Sequence, residues 1–359
     1  QAEDGIRDLA SSLVGSEMCI RDRYLVARDA FNGLILWKRI WDGPFVTGNG
    51  ETNPRMVAAP DMLYIVGERG VVGIDPKNGA TTAEFSLSAK ADKILWVDDL
   101  LLVQSRNALL AVEADLSGKR WELKGENLSG LAVESGRAYL LSSGRSSDGS
   151  FKHELLCVNV EDGLVDWRTN TQPQVTAPRV RINFAQDEFV ALQAHGSLHL
   201  FSAEDGRHLW TKSTDARPGK TYVDERYVGH FYRKGLVWML RQNSPRESLG
   251  QNVWLGLDPA TGELQRELVT KGSWPRTETP AKMGCQLLLA SDQFIMIPRQ
   301  STFIDFETGE KHSFKFTRGG CGLGFVPANG LIYSHPHACG CFSEAIRGFM
   351  GMHSQNLAW

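Results

Sequence analysis

The sequence predicts an all-β fold, a β-propeller of four-stranded antiparallel blades, and three observations lead to this prediction. A phrase that runs from an acidic or polar residue through a turn residue to a glycine returns seven times in the 359 residues. An apolar run precedes six of these turns, and a tryptophan follows four of them. The turn glycines lie 39 to 56 residues apart, a period typical of radial β repeats. These glycines are Gly33, Gly79, Gly118, Gly163, Gly206, Gly262 and Gly309.

The apolar runs supply the strands of each blade. They are short and bounded by Gly, Asp or Asn, which indicates buried strands rather than helices. A second run, such as 71–74 or 155–158, then leads into the turn. The first runs are 62–66, 100–103, 139–141, 189–192, 236–240 and 294–297.

The turns need particular residues. Asn-Gly, Asp-Gly and Thr-Gly supply the positive φ that a tight connection between strands demands. The acidic residue that opens the phrase can accept hydrogen bonds from nearby backbone N–H groups, which closes the corner locally. This residue is an aspartate at Asp29, Asp75, Asp258 and Asp305, among other turns.

Four tryptophans follow the turns, at Trp37, Trp121, Trp167 and Trp210. We expect each on the outermost strand, with its ring between adjacent blades and its N–H bonded to a carbonyl. A stacking platform for a ligand is the functional alternative. Because the residue recurs with the blade, the sequence favours the structural interpretation.

The number of blades follows from counting turns. Six blades, ending at the turns of Gly79 through Gly309, look complete, residues 24–41 supply the last hairpin of a preceding blade, and residues 320–352 supply most of a following one. This count predicts eight blades with the first and last incomplete. Seven blades, closed by pairing the two ends, are the alternative.

The first 23 residues do not resemble the repeats. Their back-translation matches a short-read flow-cell primer and a transposase adapter separated by a sample index. We therefore expect residues 1–23 to be non-native, either disordered or a stray helix, and residues 24–359 to form one propeller domain truncated at its N-terminus. A natural amphipathic helix is the alternative for residues 1–23.

Charge and hydropathy exclude some classes of partner. Without residues 1–23 the chain has 36 basic and 37 acidic residues, a balance that argues against a nucleic-acid groove or an anionic membrane surface. No apolar run is long enough to span a bilayer. We expect a monomer with a protein or glycan partner.

Two phrases carry a family resemblance. Residues 27–33 with Leu36-Trp37-Lys38, and residues 257–263, resemble the repeat of pyrroloquinoline quinone (PQQ) dehydrogenases and PQQ-like propellers. That superfamily includes non-catalytic relatives such as the outer-membrane assembly lipoprotein. The resemblance covers residues 24–352 and implies a bacterial protein that is periplasmic or secreted.

A dehydrogenase of this superfamily implies PQQ, an axial Ca²⁺ held by oxygen ligands, an aspartate base and often a disulfide of adjacent cysteines. The sequence has no Cys-Cys pair, and Cys339-Gly-Cys341 is one residue too long for that disulfide. No Asp or Glu matches a catalytic position, so we assign no catalytic residue.

The densest set of reactive side chains lies near the C-terminus. His335, His337, Cys339 and Cys341 could hold Zn²⁺ or Cu⁺, but same-face neighbours on a strand stand roughly 6.5 to 7 Å apart. Two disulfides among Cys285, Cys321, Cys339 and Cys341 are the alternative that clustering favours, and free thiols are the third. Cys157, within an apolar run, is expected to be a small buried hydrophobe.

Other polar residues give weaker hypotheses. Arg276, Arg299, Arg318 and Arg347 could clamp a carboxylate, although arginines on loops are usually solvated. His195, His199 and His208 fall near one hairpin, where surface positions are expected rather than a ligand set. The insertion 241–252 is expected to be an extended hairpin loop.

These observations favour a non-catalytic PQQ-like propeller that binds or scaffolds partners in an exported bacterial protein. The alternative is a PQQ- and Ca²⁺-dependent dehydrogenase that oxidises an alcohol or sugar. A polysaccharide-degrading propeller is disfavoured because no paired carboxylates can be placed about a scissile bond.

Overall fold

A computed structural model describes residues 24–41, 55–175, 177, 180–194, 197–213, 230–241, 253–270, 289–297, 302–313, 326–328, 331–334 and 350–352. Within these ranges every regular element is a strand, and no helix is present that could cross a membrane. The all-β prediction is therefore confirmed for the part of the chain that the structure describes.

The strands form eight antiparallel sheets within the described ranges. The first sheet holds β1 (Tyr24–Arg28) and β2 (Ile35–Ile40). The second holds β3 (Met56–Ala58), β4 (Leu63–Val66), β5 (Gly70–Ile74) and β6 (Thr81–Ser86). The third holds β7 (Lys93–Val97), β8 (Leu100–Gln104), β9 (Ala108–Glu113) and β10 (Lys119–Lys124). The fourth holds β11 (Leu128–Glu134), β12 (Arg137–Arg145), β13 (Phe151–Asn159) and β14 (Val165–Asn170).

The remaining sheets continue the pattern. The fifth holds β15 (Val180–Gln186), β16 (Phe189–Ala194), β17 (Ser197–Ser202) and β18 (His208–Ser213). The sixth holds β19 (His230–Arg233), β20 (Leu236–Arg241), β21 (Val253–Leu257) and β22 (Leu264–Val269). The seventh holds β23 (Leu289–Ala290), β24 (Phe294–Ile297), β25 (Thr302–Asp305) and β26 (Lys311–Ser313), and the eighth β27 (Val326–Ala328), β28 (Leu331–Ser334) and β29 (Met350–Met352).

Each sheet is an up-and-down meander, as the propeller prediction requires. The four strands of sheets two to seven pair in chain order. The first strands contact one another at four junctions, β3 with β7, β11 with β15, β15 with β19 and β19 with β23. The first strand of each blade is therefore innermost. The end sheets have two and three described strands, which accommodates either eight blades or seven closed by joining the incomplete ones.

The apolar runs pack between the sheets. The second strands β8 and β16 are buried along their whole length, and they contribute to clusters that contain residues of neighbouring sheets. Cys157 on β13 belongs to one such cluster and is a free, fully buried thiol, as predicted. Burial, with the charge of Asp166, raises the pKa of this thiol to about 12.

The repeated phrase forms the turn between the third and fourth strands of a blade. In six of the seven turns the glycine N–H donates to the carbonyl of the residue four positions earlier, as Gly79 does to Asp75 at 2.8 Å. These six glycines have φ between 67° and 76°. The turn at Gly118 is one residue shorter, and there Leu116 takes the positive φ of 60° instead.

The four tryptophans join each blade to the next. Each ring lies on the fourth strand of its blade, or on β2, and packs against the turn glycine of the following blade. Each indole N–H donates to the carbonyl three residues before that glycine. The pairs are Trp37 with Pro76 O (2.7 Å), Trp121 with Val160 O (2.8 Å), Trp167 with Ala203 O (3.0 Å) and Trp210 with Pro259 O (2.8 Å).

Two junctions replace the tryptophan. Between the sixth and seventh sheets, Arg266 stands at the corresponding position and donates to Phe306 O at 2.6 Å. Between the second and third sheets the position is Ala83, and Tyr64 instead stacks on Trp96 with ring centroids 5.5 Å apart. The Tyr64 hydroxyl also donates to Ala114 O at 2.5 Å, so a link between these blades is kept.

The junction predicts a specific cost for filling the turn. A Cβ at Gly163, where φ is 75°, would stand 2.5 Å from the Trp121 ring, whereas at Gly136, where φ is 73°, it meets nothing within 4 Å. We expect Gly136→Ala to lower the free energy of unfolding by about 1 kcal/mol, the left-handed backbone cost alone. Gly163→Ala should lower it by about 2–4 kcal/mol, because overpacking is added.

Chemical denaturation of both variants measures these values. Equal losses for Gly163→Ala and Gly136→Ala would contradict the contact between the ring and the turn.

Candidate functional site

The blades have two chemically different ends. We call the end with the repeated turns the turn end, and the opposite end, where the second and third strands are connected, the loop end. At the loop end a cleft of about 840 Å³ crosses the third, fourth and fifth sheets. The innermost strands β7, β11 and β15 and the hairpin of β12 and β13 all contribute to its lining.

The cleft is positively charged. Among the described residues, four cationic side chains line it, and Asp92 is the one carboxylate of this lining. The cations come from all three sheets and are Lys93, Arg106, Arg145 and Arg181. Such a set favours an anionic ligand, because guanidinium groups pair with carboxylates in bidentate geometry.

Lys93 is the most unusual of the four. It opens β7, is half-buried, and its ammonium group donates to the main-chain carbonyl of Leu131 on the next blade. Burial lowers the pKa of Lys93 to about 8, and no charge from a described carboxylate offsets this. Burial without a negative partner disfavours the charged form of the Lys93 amine. An anion bound nearby would restore that form and would itself be stabilised by the positive charge.

Two arginines are held in place by their neighbours. The Arg145 guanidinium lies over the ring of Phe151, 4.4 Å from its centroid, and donates to Gly149 O at 3.1 Å. Arg106 donates to the side-chain oxygen of Asn127 at 3.3 Å. Both arginines are exposed, so these contacts orient the charge without neutralising it.

A buried histidine supports the wall of the cleft. His153 on β13 is 2% exposed, and its Nε2 lies 2.7 Å from Ala177 O. Because a carbonyl only accepts, Nε2 carries the proton and Nδ1, 2.8 Å from the Ser143 hydroxyl, accepts. This bridge fixes the hairpin of β12 and β13 against the connection that leads to the fifth sheet.

The turn end carries a second depression with a different charge. Its volume is about 570 Å³, and Asp98, Asp99, Glu161 and Asp166 line it together with Arg120 and Arg137. Arg137 Nε lies 3.8 Å from an oxygen of Asp166. The two ends of the same blades thus present opposite charge.

Most side chains that the sequence singles out for chemistry lie outside the described residues. This applies to His335, His337, Cys285, Cys321, Cys339, Cys341, His195, Arg276, Arg299, Arg318, Arg347 and residues 242–252. The disulfide, metal and clamp hypotheses therefore stay predictions.

The predicted surface position of His199 is wrong. His199 is 5% exposed because it lies on β17, between the flanking strands of its sheet. Its Nδ1 lies 2.8 Å from the Thr211 hydroxyl, which also contacts His208 Nε2 at 2.9 Å. Burial and the neighbouring His208 lower the pKa of His199 to about 4.

Sequence reasoning missed all four cleft cations. One signal was present, because Lys93 is a charged residue at the head of the otherwise apolar strand 93–97. No comparable signal marks Arg106, Arg145 and Arg181, which are distant along the chain and meet only through the arrangement of the blades.

The described residues of the cleft do not fit a calcium–quinone pair. Ca²⁺ takes six to eight oxygen ligands, and carboxylates are prominent among them. Within the described ranges no three His, Cys, Asp or Glu side chains gather closely enough to share a metal ion, and the cleft offers Asp92 among four cations. We derive no catalytic step through PQQ or calcium.

Comparisons with known proteins agree with this architecture. Residues 69–229 match the family model of outer membrane protein assembly factor BamB. No curated protein matches the sequence. Among solved structures, a quinohemoprotein alcohol dehydrogenase of Pseudomonas putida HK5 shares 11% identity over 86% of this chain and 66% of its own, with a TM-score of 0.55.

Two further structures are similar at lower TM-scores. The Pan2 WD40 domain of Neurospora crassa shares 9% identity over 89% of this chain and 94% of its own, with a TM-score of 0.50. BamB of Moraxella catarrhalis shares 15% identity over 76% of each chain, with a TM-score of 0.45. At such identities the structures indicate the fold alone. The match over residues 69–229 and the meander sheets together support a PQQ-like β-propeller fold for this chain.

Proposed function

We propose that this propeller is a non-catalytic binding module whose loop-end cleft holds an acidic segment of a partner protein. The observation that carries the proposal is Lys93, a half-buried ammonium group whose lowered pKa has burial as its cause, with no ion pair to a described carboxylate to offset it. A buried charge of this kind costs stability unless something pairs with it. The exposed Arg106 and Arg145 on the same cleft extend the positive charge across two blades.

The form of the cleft supports a protein ligand. It is an open trough rather than an enclosed pocket, and its walls come from separate blades that the tryptophan junctions hold in register. A trough lined by three neighbouring blades suits an extended chain with several carboxylates. A glycan or a small anion would satisfy fewer of the separated cations, so we propose a protein partner.

The family match supports the same class of function and suggests a location. The matching model is named for an outer membrane protein assembly factor, which is consistent with a module that binds proteins. On that basis we propose an exported, periplasmic module. The dehydrogenase alternative is favoured by the repeat resemblance alone, since the cleft residues do not fit the calcium–quinone pair.

Binding of a charged probe tests the function. We expect a labelled peptide of alternating Asp and Glu to bind the full chain saturably, and its uncharged Asn and Gln counterpart to bind at least tenfold more weakly. Arg145→Glu should weaken binding of the acidic peptide about tenfold or more, because a lost charge pair is replaced by repulsion. Lys77→Glu, on an exposed residue of the turn end, is the matched control.

Calorimetry with PQQ and CaCl₂ tests the alternative on the same preparation. Calcium-dependent, one-to-one PQQ binding with reduction of a dye by an alcohol would overturn the proposal. Equal binding of the acidic and uncharged peptides would overturn it as well.

The charge on Lys93 predicts a pH-dependent stability. Its folded pKa of about 8 lies below the usual value of 10.5, so its cost to folding is complete below pH 8 and disappears as the pH rises to the unfolded value. Lys93→Met should therefore be more stable than the parent by about 1–3 kcal/mol at pH 7. The difference should shrink between pH 8 and pH 10.

Urea unfolding of both proteins across this range measures the difference. A gap that stays constant, or a variant less stable than the parent at pH 7, would show that the Lys93 ammonium is already paired.

A further inference from the structure

The hairpin of β12 and β13 rises above the other blades. Each of its strands has nine residues, whereas the second and third strands of the other four-stranded sheets have four to six. Its last pairs, Ser143 with His153 and Arg145 with Phe151, extend past the end of β11, whose final partner is Ser142. In this extension β12 and β13 pair only with each other, so the outer side of each strand is an edge.

The edge on the β13 side is already occupied. The His153 carbonyl accepts from Thr171 N at 3.0 Å, and the Phe151 carbonyl accepts from Gln172 Nε2 at 2.5 Å. The backbone groups of His153 and Phe151 thus point away from β12. In an antiparallel pair, residues that face each other either both bond inward or both point outward.

The same alternation leaves the β12 edge open. Ser143 and Arg145 face His153 and Phe151, so their N–H and C=O groups point away from β13 toward the cleft. At the tip of the hairpin the two chain segments again bond each other, since Ser146 N donates to Ser150 O at 2.9 Å. Among the described residues, no backbone hydrogen bond is formed by Ser143 or Arg145 on this outer side.

The chain that could have covered this edge turns aside. Asn127, which precedes β11, has a positive φ of 47°. Its neighbours Gly125 and Leu128 donate their N–H groups to Asn107 O at 3.0 Å and Arg106 O at 2.7 Å, both on the preceding blade. The connection into β11 therefore bonds mainly to the preceding blade, and it also accepts one hydrogen bond from β12, from the Ser142 hydroxyl to Glu126 O at 2.9 Å. The outward backbone groups of Ser143 and Arg145 border the cleft.

We propose that the acidic segment binds by adding a strand to the β12 edge at Ser143 and Arg145. This inference rests on the proposed function and specifies how the partner is held. Backbone bonds to the open edge would fix an extended segment in register, and its alternate side chains would face one side. Carboxylates at every second position would then run along the cleft that Lys93 and Arg106 line.

The charge of this edge selects its partner. Exposed edges usually carry charges that prevent pairing with other copies, and Arg145 is exposed. A second copy of this hairpin would place arginine beside arginine. An acidic strand would instead be attracted by the Arg145 charge. The edge therefore favours an anionic segment over a second copy of this hairpin.

N-methylated peptides test the backbone bonds without changing charge. The peptide for this test has Glu at odd and Thr at even positions, so that its charges fix which residues face the cleft. Two versions of it carry N-methyl groups, one on the odd and one on the even positions. We expect one version to lose at least tenfold in affinity and the other to bind within about twofold of the parent, because only alternate N–H groups of an added strand face the protein.

A matched pair of protein variants tests the edge from the other side. Arg145→Ala removes the charge, and Arg145→Pro removes the charge and the outward N–H together. We expect Arg145→Pro to bind the acidic peptide threefold to tenfold more weakly than Arg145→Ala, since one further hydrogen bond is lost. Circular dichroism of both variants controls for folding, and the methylated peptides carry the test if the proline variant does not fold.

The outcomes separate this inference from the proposed function. Equal binding of both methylated peptides and the parent, with charge still required, would overturn strand addition and leave the acidic-segment site standing. Absence of binding by any acidic peptide would overturn both. Binding of heparin in competition with the acidic peptide, with equal loss for both methylated versions, would show a polyanion site and contradict strand addition.

Discussion

The contact between an indole ring and the turn of the next blade is the interaction on which the rest of the structure depends. Each ring covers a glycine that has no Cβ, and its N–H bonds a carbonyl of the same turn. The turn can accept the ring because its own hydrogen bonds and positive φ make it rigid. One contact thus couples the local geometry of a turn to the spacing of neighbouring sheets.

The two substituted junctions show what the contact must supply. Arg266 keeps the donor to the corresponding carbonyl without an indole ring, and Tyr64 on Trp96 keeps a ring and a donor at a different place. What is constant is a hydrogen bond from a large side chain to the turn region of the next blade. These contacts lie toward the turn end, which leaves the loop end free to carry a cleft of independent chemistry.

The fold was predictable because the same turn phrase occurs seven times in the sequence, once for each pair of outer strands. Turn glycines, strand lengths and the positions of the tryptophans all follow from local rules that a sequence displays. The replacement contacts at Arg266 and Ala83 could not be predicted from the repeat. Arg266 bonds Phe306 O of the next blade, and the link near Ala83 is made by Tyr64 on another strand. The predicted surface position of His199 was wrong for a related reason. His199 lies on the third strand of its sheet, where the strands on both sides bury it.

The cleft could not be predicted in the same way. Lys93 and Arg181 are far apart in sequence, and only the packing of the inner strands brings them to one cleft. The open edge of β12 depends on a register and on the path of the chain near Asn127, neither of which a composition or period reveals. The proposed function depends on loop-end residues that the repeat does not constrain.

Hydrogen–deuterium exchange on the full chain, with and without the acidic peptide, tests the central claim most directly. The account predicts that bound peptide slows exchange in segments that contain Ser143 and Arg145 and around Lys93, while the turn-end segment 159–163 is unchanged. Protection confined to the turn end, or no protection at saturating peptide, would contradict the assignment of the loop-end cleft as the binding site.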